Sequence, residues 1–197
     1  MPKTIGIVLL AAGRGTRFGE AAKMLALLDG KPLVRHAAET AIAANLGPMA
    51  VVLGAHGAAI RQALAGLDLR IVDNPAHVEG LSTSLRCGLD AVPEASAVIV
   101  MLGDMPRIRP AHLLSLVEAF MTADPAPAAI VPIHHGSRGN PVLLNRALLA
   151  RDLASLTGDQ GAGRILAART DVVELEMDAA VTLDIDTHSA LIDAARA

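Results

Sequence analysis

The sequence predicts an α/β domain built on a mainly parallel sheet, and two observations carry that expectation. Short runs rich in Val and Ile alternate from end to end with longer Ala- and Leu-rich stretches of helical period. Such alternation builds parallel sheets, because each crossover helix brings the chain back to the edge where the next strand starts. The chain of 197 residues, 52% hydrophobic and 19% charged, is also long enough for one well-packed domain that buries roughly 70% of its unfolded-chain surface.

Taken in order, strands are expected at residues 5–10, 49–53, 69–72, 97–102, 128–132, 141–144, 172–176 and 181–184, with helices between them. Pro32 opens the first helix where its missing N–H does no harm, and Asn45-Leu46-Gly47-Pro48 ends it with turn chemistry. Pro110 starts another helix in the same way, closed by Asp124-Pro125-Ala126-Pro127. Residues 134–141 join two strands that lie too close in sequence for a crossover helix, so a hairpin-like excursion is expected there. No composition shift, repeat or linker divides the chain, which predicts a single domain over residues 1–197.

Composition narrows the function. Seventeen basic against twenty acidic residues give a formal charge of -3, and no run of Lys or Arg makes a local polyanion surface, so no nucleic-acid partner is expected. Phe18 and Phe120 are the only aromatic residues of the Phe, Tyr and Trp class, which removes the stacking platforms of single-strand binders. Mean hydropathy is high at +0.45, yet the longest apolar stretches reach only about half the ~20 residues of a membrane span. They read as buried strands, no membrane partner is expected, and the absence of a secretory pattern at the start points to the cytoplasm. Cys87 is the only cysteine, so no internal disulfide or cysteine zinc cluster is possible, and Leu85 and Leu89 beside it favour a buried helical thiol. His56, His77, His134 and His135 lack metal-ligand spacing and read as surface or loop residues.

Three segments carry chemistry. Leu10-Ala11-Ala12-Gly13-Arg14-Gly15-Thr16-Arg17-Phe18-Gly19, followed by Lys23, comes directly after the first strand. A glycine-rich turn there exposes successive backbone N–H groups that can wrap a phosphate. The spacing fits neither the P-loop nor the dinucleotide fingerprint, since Gly19 falls one residue late and no acid closes the second strand. The surplus of positive charge on Arg14, Arg17 and Lys23 suits a nucleoside triphosphate. The second segment, Val98 to Pro106, runs a buried strand into Gly103-Asp104, at the sheet edge where α/β folds bind ligands. Asp104 is therefore a candidate Mg²⁺ ligand, because that cation takes one or two carboxylates and fills its other positions with phosphate and water. In the third, Asp184 and Asp186 stand two apart on an extended segment and point to one side, so the pair can complete a site with Asp104. Asp186 or Thr187 also fits as the cap of the last helix.

Taken together, the run at 10–19 with Lys23, GLSTS at 80–84, GDMP at 103–106, GNPV at 139–142, GDQGA at 158–162 and DIDT at 184–187 resembles the MobA-like nucleotidyltransferases. Within that group it is most similar to the molybdenum cofactor cytidylyltransferases, through Leu-Ala-Ala-Gly and Ser82-Thr83-Ser84, and the likeness covers nearly the whole chain in the family's order. The resemblance implies a Rossmann-like three-layer α/β/α fold of the glycosyltransferase-A type, with one antiparallel strand. It implies a Mg²⁺-dependent transfer of CMP from CTP to the terminal phosphate of molybdopterin, releasing pyrophosphate, in the service of a molybdenum hydroxylase apoenzyme. Carried onto this chain, it gives Arg17, Lys23 and Asp104 catalytic roles and makes Asp104 and Asp186 the metal ligands. Leu10, Ala11, Ala12, Gly13, Arg14, Gly15, Thr16, Arg17, Lys23, Gly80, Leu81, Ser82 and Thr83 would hold the nucleotide, with Ala11 and Ala12 against the base. Asn140 and Asp159 would line the acceptor side, although Gly139-Asn140-Pro141 departs from the Gly-His-Pro associated with many cytidylyltransferases. The same fold with another nucleotide or acceptor, and a non-catalytic cofactor chaperone, are the alternatives.

Overall fold

The structure is a computed structural model that describes residues 4–13, 15, 18 and 22–196. In chain order its elements are β1 (Ile5–Ala11), β2 (Leu27–Leu28), β3 (Lys31–Pro32), α1 (Leu33–Ala44), β4 (Met49–Leu53), α2 (Gly57–Ala63), β5 (Arg70–Asp73), α3 (Leu81–Ala91), β6 (Ala97–Leu102) and α4 (Pro110–Thr122). They continue as β7 (Ala129–His134), β8 (Ser137–Arg138), β9 (Val142–Asn145), α5 (Arg146–Ser155), α6 (Ala162–Ala167), β10 (Val172–Glu176) and α7 (His188–Arg196).

The main sheet runs β10-β7-β9-β6-β1-β4-β5, with β8 paired to β7. β1 lies at its centre, parallel to β4 and β6, and β9 is the one reversed strand of this path, antiparallel to both β6 and β7. The expected parallel sheet with one antiparallel strand is thus the observed one. Because β1 is covered on both faces, it reads as a continuous apolar run rather than an alternating one. Ile5, Ile7, Leu9 and Ala11 pack against α1, α2 and α4 through Val34, Ala38, Ile60, Leu113, Leu116 and Phe120. Val8, Leu10 and Ala12 face the other layer, where α3, α5 and α6 contribute Leu85, Leu89, Leu149 and Leu166.

Local signals act where they stand. Pro32 precedes α1, and Asn45 ends that helix in the left-handed conformation. Pro110 takes the first turn of α4, and His112 closes its start by accepting the Arg109 backbone N–H on Nδ1 at 3.0 Å. The carbonyl-free Nδ1 acceptor leaves the hydrogen on Nε2, which reaches Asp178 at 3.2 Å. The excursion after β7 is a two-residue hairpin turn at His135 and Gly136, both with positive φ.

Two elements differ from expectation. Residues 181–184 are not a strand: Ala179–Thr182 form a 3-10 turn, because the Asp178 carboxylate accepts the Ala180 N–H and the Val181 carbonyl is taken by the Asn140 N–H at 2.8 Å. The β2–β3 hairpin was not anticipated, although Asp29-Gly30 supplies the positive φ pair such a turn needs. This hairpin supports α7 through a third apolar cluster of Phe18, Leu28, Leu33, Ile185 and Ala194.

Helix α3 lies so close to the sheet that a Cβ on Gly88 would meet Val8 at 2.3 Å and Val52 at 3.0 Å, whereas one on Gly163 in α6 meets nothing within 4 Å. Gly88→Ala is therefore expected to lower stability by about 1–3 kcal/mol through overpacking. Gly163→Ala is expected to leave it unchanged or raise it by up to about 1 kcal/mol through helix propensity. Urea denaturation midpoints of the two variants check the opposite signs.

Candidate active site

The site forms at the carboxyl ends of β1, β4 and β6, where the apolar strands give way to loops. The Gly103 N–H donates to the Leu10 carbonyl at 3.0 Å, so the end of β6 is held beside the start of the glycine-rich loop. This places Asp104 against Lys23, whose Nζ lies 2.6 Å from Asp104 Oδ2 and also donates to Asp186 Oδ1. Lys23 and Asp104 are both buried. Burial works against the ammonium, but the field of Asp104 and the hydrogen bonds to Asp104 and Asp186 outweigh it and raise the Lys23 pKa above the ordinary lysine value.

The backbone ties the same elements together. The Ile185 N–H donates to the Asp104 carbonyl at 3.0 Å, which fixes the segment carrying Asp186 to the end of β6. Thr187 Oγ1 accepts the Ala190 N–H and caps α7, so Asp186 is left for Lys23, while Asp184 is exposed. The loop itself is anchored by Phe18, which donates its N–H to the Gly15 carbonyl and stacks on His188 with ring centroids 4.1 Å apart.

Asp104 Oδ1 is a buried oxygen with no hydrogen-bond partner among the described residues. A buried lone pair left in this way costs free energy unless a ligand takes it up. Two hard carboxylates, one with such an oxygen, form a donor set that fits a divalent cation sharing its remaining positions with phosphate and water. Among the described residues no group of three or more His, Cys, Asp or Glu could hold a metal by itself.

Two adjoining cavities open here. One of about 430 Å³ is lined by Ala12, Gly13, Gly15, His77, Ser84, Asp104 and Asp159, among others. The second, of about 260 Å³, is mostly apolar, with Val100, Val131, Val142 and Leu166 in its walls and Asn140 and Arg138 as its polar groups. Leu10, Leu81 and Leu102 line both. Gly80 and Gly158 bring the loops around them into contact. Gly80 has φ +117, a Cβ there would sit 2.2 Å from the Gly158 carbonyl carbon, and the Ser82 N–H donates to the Gly158 carbonyl.

Of the residues expected at the site, Leu10, Ala12, Gly13, Gly15, Gly80, Leu81, Asp104 and Asp159 line the larger cavity. Asn140 lines the smaller one, so the two residues expected on the acceptor side stand in different cavities. Arg14, Thr16 and Arg17 lie outside the described residues. Ala11 is a correction: its methyl is fully buried in the opposite layer of the core and cannot lie against a base.

Ser82 and Thr83 also differ from expectation. Ser82 is buried beside the Gly158 loop, and the Thr83 hydroxyl donates toward the Ala76 and Gly80 carbonyls. Ser84 lines the cavity instead. The hub behind them is Asn74, whose Nδ2 donates to Thr83 Oγ1 and Ser84 Oγ, each at 2.9 Å, and whose Oδ1 accepts the Ala76 N–H. Asn74-Pro75 is a turn signal in the sequence, and the burial that turns it into a hub is a tertiary property. His77 is a wall of the cavity rather than a plain loop residue. Cys87 is helical but only half-buried, and burial, with Asp90 and Asp73 nearby, pushes its thiol pKa up, away from a nucleophile's range.

Residues 7–173 match the family described as the MobA-like NTP transferase domain. The bifunctional protein GlmU of Legionella pneumophila (strain Corby) is 30% identical over 161 residues, which cover 81% of this chain and 31% of that protein. The chain spans between a quarter and a third of the length of such curated relatives. Among solved structures, Rv0371c from Mycobacterium tuberculosis H37Rv superposes with a TM-score of 0.83 at 29% identity over 100% of both chains. Its complex with manganese superposes with a TM-score of 0.80 at 29% identity over 99% of this chain and 100% of that one. The family match begins in β1 and ends in β10, so it takes in every element that lines the two cavities, and the chain belongs to the MobA-like NTP transferase family.

Proposed function

We propose that the chain acts as one cytoplasmic transferase unit that moves CMP from CTP to the terminal phosphate of molybdopterin, releases pyrophosphate and serves a molybdenum hydroxylase. The observation that carries a metal-assisted transfer is the buried Asp104 Oδ1, without a hydrogen-bond partner among the described residues, beside a second carboxylate and an ammonium. Asp104 and Asp186 would hold Mg²⁺, and the manganese complex of Rv0371c supports a divalent ion in such a fold. The cation supplies charge neutralisation at the triphosphate.

The protein's part is position and charge. Gly13 and Gly15 offer backbone N–H groups at the mouth of the larger cavity, with Arg14, Thr16 and Arg17 between and beside them in sequence. Lys23 is the ammonium that turns from the carboxylates to the phosphates once these arrive with their cation. The acceptor phosphate attacks the α-phosphorus in line, the α–β phosphoanhydride bond breaks, and pyrophosphate leaves. No protein nucleophile is required, in keeping with the raised Cys87 pKa.

The acceptor side favours a flat heterocycle over a sugar. The adjoining cavity has apolar walls and few polar groups, Asn140 chief among them, whereas a sugar would require polar partners around its rim. Asp159, which lines the larger cavity, would accept a hydrogen bond from a pterin edge.

Three results are expected. Asp104→Asn, chosen because it keeps the shape beside buried Lys23, drops turnover by about two to three orders of magnitude, and retention of more than about a tenth of the rate rejects the metal role. Lys23→Ala raises KM for the triphosphate and slows transfer, and unchanged steady-state kinetics reject its contact with the phosphates. In pyrophosphate-release assays with Mg²⁺ and molybdopterin, CTP is used in preference to GTP and ATP. Preference for GTP selects the guanylyl reading, and no release with any nucleotide selects the chaperone.

A further inference from the structure

Among the described residues, those with polar side chains that line the larger cavity are His77, Ser84, Asp104 and Asp159. Asp104 is committed to Lys23, and Asp159 sits on the loop proposed to border the acceptor, which among the described residues leaves His77 and Ser84 to meet a nucleobase.

His77 is held in one orientation. Its Nδ1 lies 3.1 Å from the Asn74 carbonyl, and its backbone N–H donates to the same oxygen. A carbonyl only accepts, so Nδ1 carries the hydrogen, and in the uncharged ring Nε2 is an acceptor. The ring cannot swing back toward the sheet. A Cβ on Gly54 would meet His77 Cβ at 2.6 Å and Cγ at 2.7 Å, so the imidazole already rests on the Gly54 backbone at the end of β4. Asn74, which sets this geometry, is itself buried and fully engaged.

Ser84 is the complementary partner. Its Oγ accepts from Asn74 Nδ2, so its own hydrogen is available to donate into the cavity. A fixed acceptor and a donor, both held by Asn74 in the wall of one cavity, match the edge of cytosine, which presents an amino group next to ring-nitrogen and carbonyl acceptors. Uracil presents a carbonyl where cytosine has the amino group, so its oxygen would face the His77 lone pair.

We propose that His77 Nε2 accepts a hydrogen bond from the exocyclic amino group of cytosine and is the residue that selects CTP over UTP. This deepens the transferase reading and rests on it. The cost of facing two acceptors across a partly buried contact, with neither satisfied, makes the discrimination about tenfold or more.

The test is calorimetric binding of CTP and of UTP, each with Mg²⁺, to the full chain at about pH 8, above the ordinary histidine range, for wild type, His77→Phe and His77→Gln. Wild type is expected to bind CTP at least about tenfold more tightly than UTP. His77→Phe keeps a flat ring on Gly54 but no acceptor, and brings the CTP:UTP ratio to within about twofold. His77→Gln, whose amide both accepts and donates, keeps CTP binding and gains UTP binding, and it serves if His77→Phe does not fold. Equal binding of CTP and UTP by wild type, or an unchanged ratio in the folded variants, overturns the proposal. Selective binding without pyrophosphate release in the molybdopterin assay instead overturns the transferase reading and leaves the role of His77 standing. Failure of both nucleotides to bind wild type overturns both.

Discussion

The Lys23 ammonium, held between Asp104 and Asp186, is the interaction on which the rest of the site depends. It joins three parts of the chain that are far apart in sequence: the loop after β1, the end of β6 and the segment before α7. A buried ammonium is expensive alone and tolerable only when paired, so Lys23 requires both its neighbours to be carboxylates. The pair in turn requires a cation, whether the ammonium or a metal. The backbone reinforces this arrangement, since the Ile185 N–H binds the Asp104 carbonyl and Phe18 stacks on His188. The charge set is thus built from loops but held by the core.

The sheet decides where this happens. β1 and β6 run parallel side by side, and their last residues open the same edge. β9, reversed between β6 and β7, brings Asn140 and Val142 to that edge from the opposite direction and gives the second cavity its wall. The contact of Gly80 with the Gly158 loop then closes the two cavities against one another. The two cavities are adjacent because one reversed strand and one loop contact make them so.

Much of the fold was legible because it is written in local pattern. The strands at 49–53 and 97–102 match their predicted bounds, since a doubly covered strand leaves an unbroken apolar run, and the edge strand at 172–176 matches through the β-branched pair Val172-Val173 and Leu175. Asp104, read from the sequence as a carboxylate after Gly103 at a strand end, and Lys23, read as an ammonium after the glycine-rich run, are brought together as an ion pair. Residues 181–184 misled because the β-propensity of Val181 and Thr182 is weak against the capping by Asp178 and the bond from Asn140. Ala11 misled because period two along a strand sends neighbouring methyls to opposite layers. Asn74 and His77 carry no chemical motif of their own and Ser84 only closes the GLSTS run, so the meaning of all three comes from burial and from which atoms the fold has already used.

In the proposed reading Asp104 and Asp186 form one cation site that Lys23 guards. Electron paramagnetic resonance titration of Mn²⁺ with a non-hydrolysable CTP analogue tests it directly, in wild type and in Asp186→Asn. The account predicts a single bound ion per chain in wild type, dependent on the nucleotide, and at least about tenfold weaker binding once the second carboxylate is removed. Equally tight Mn²⁺ binding by Asp186→Asn, or a tight ion in the absence of nucleotide, would contradict it.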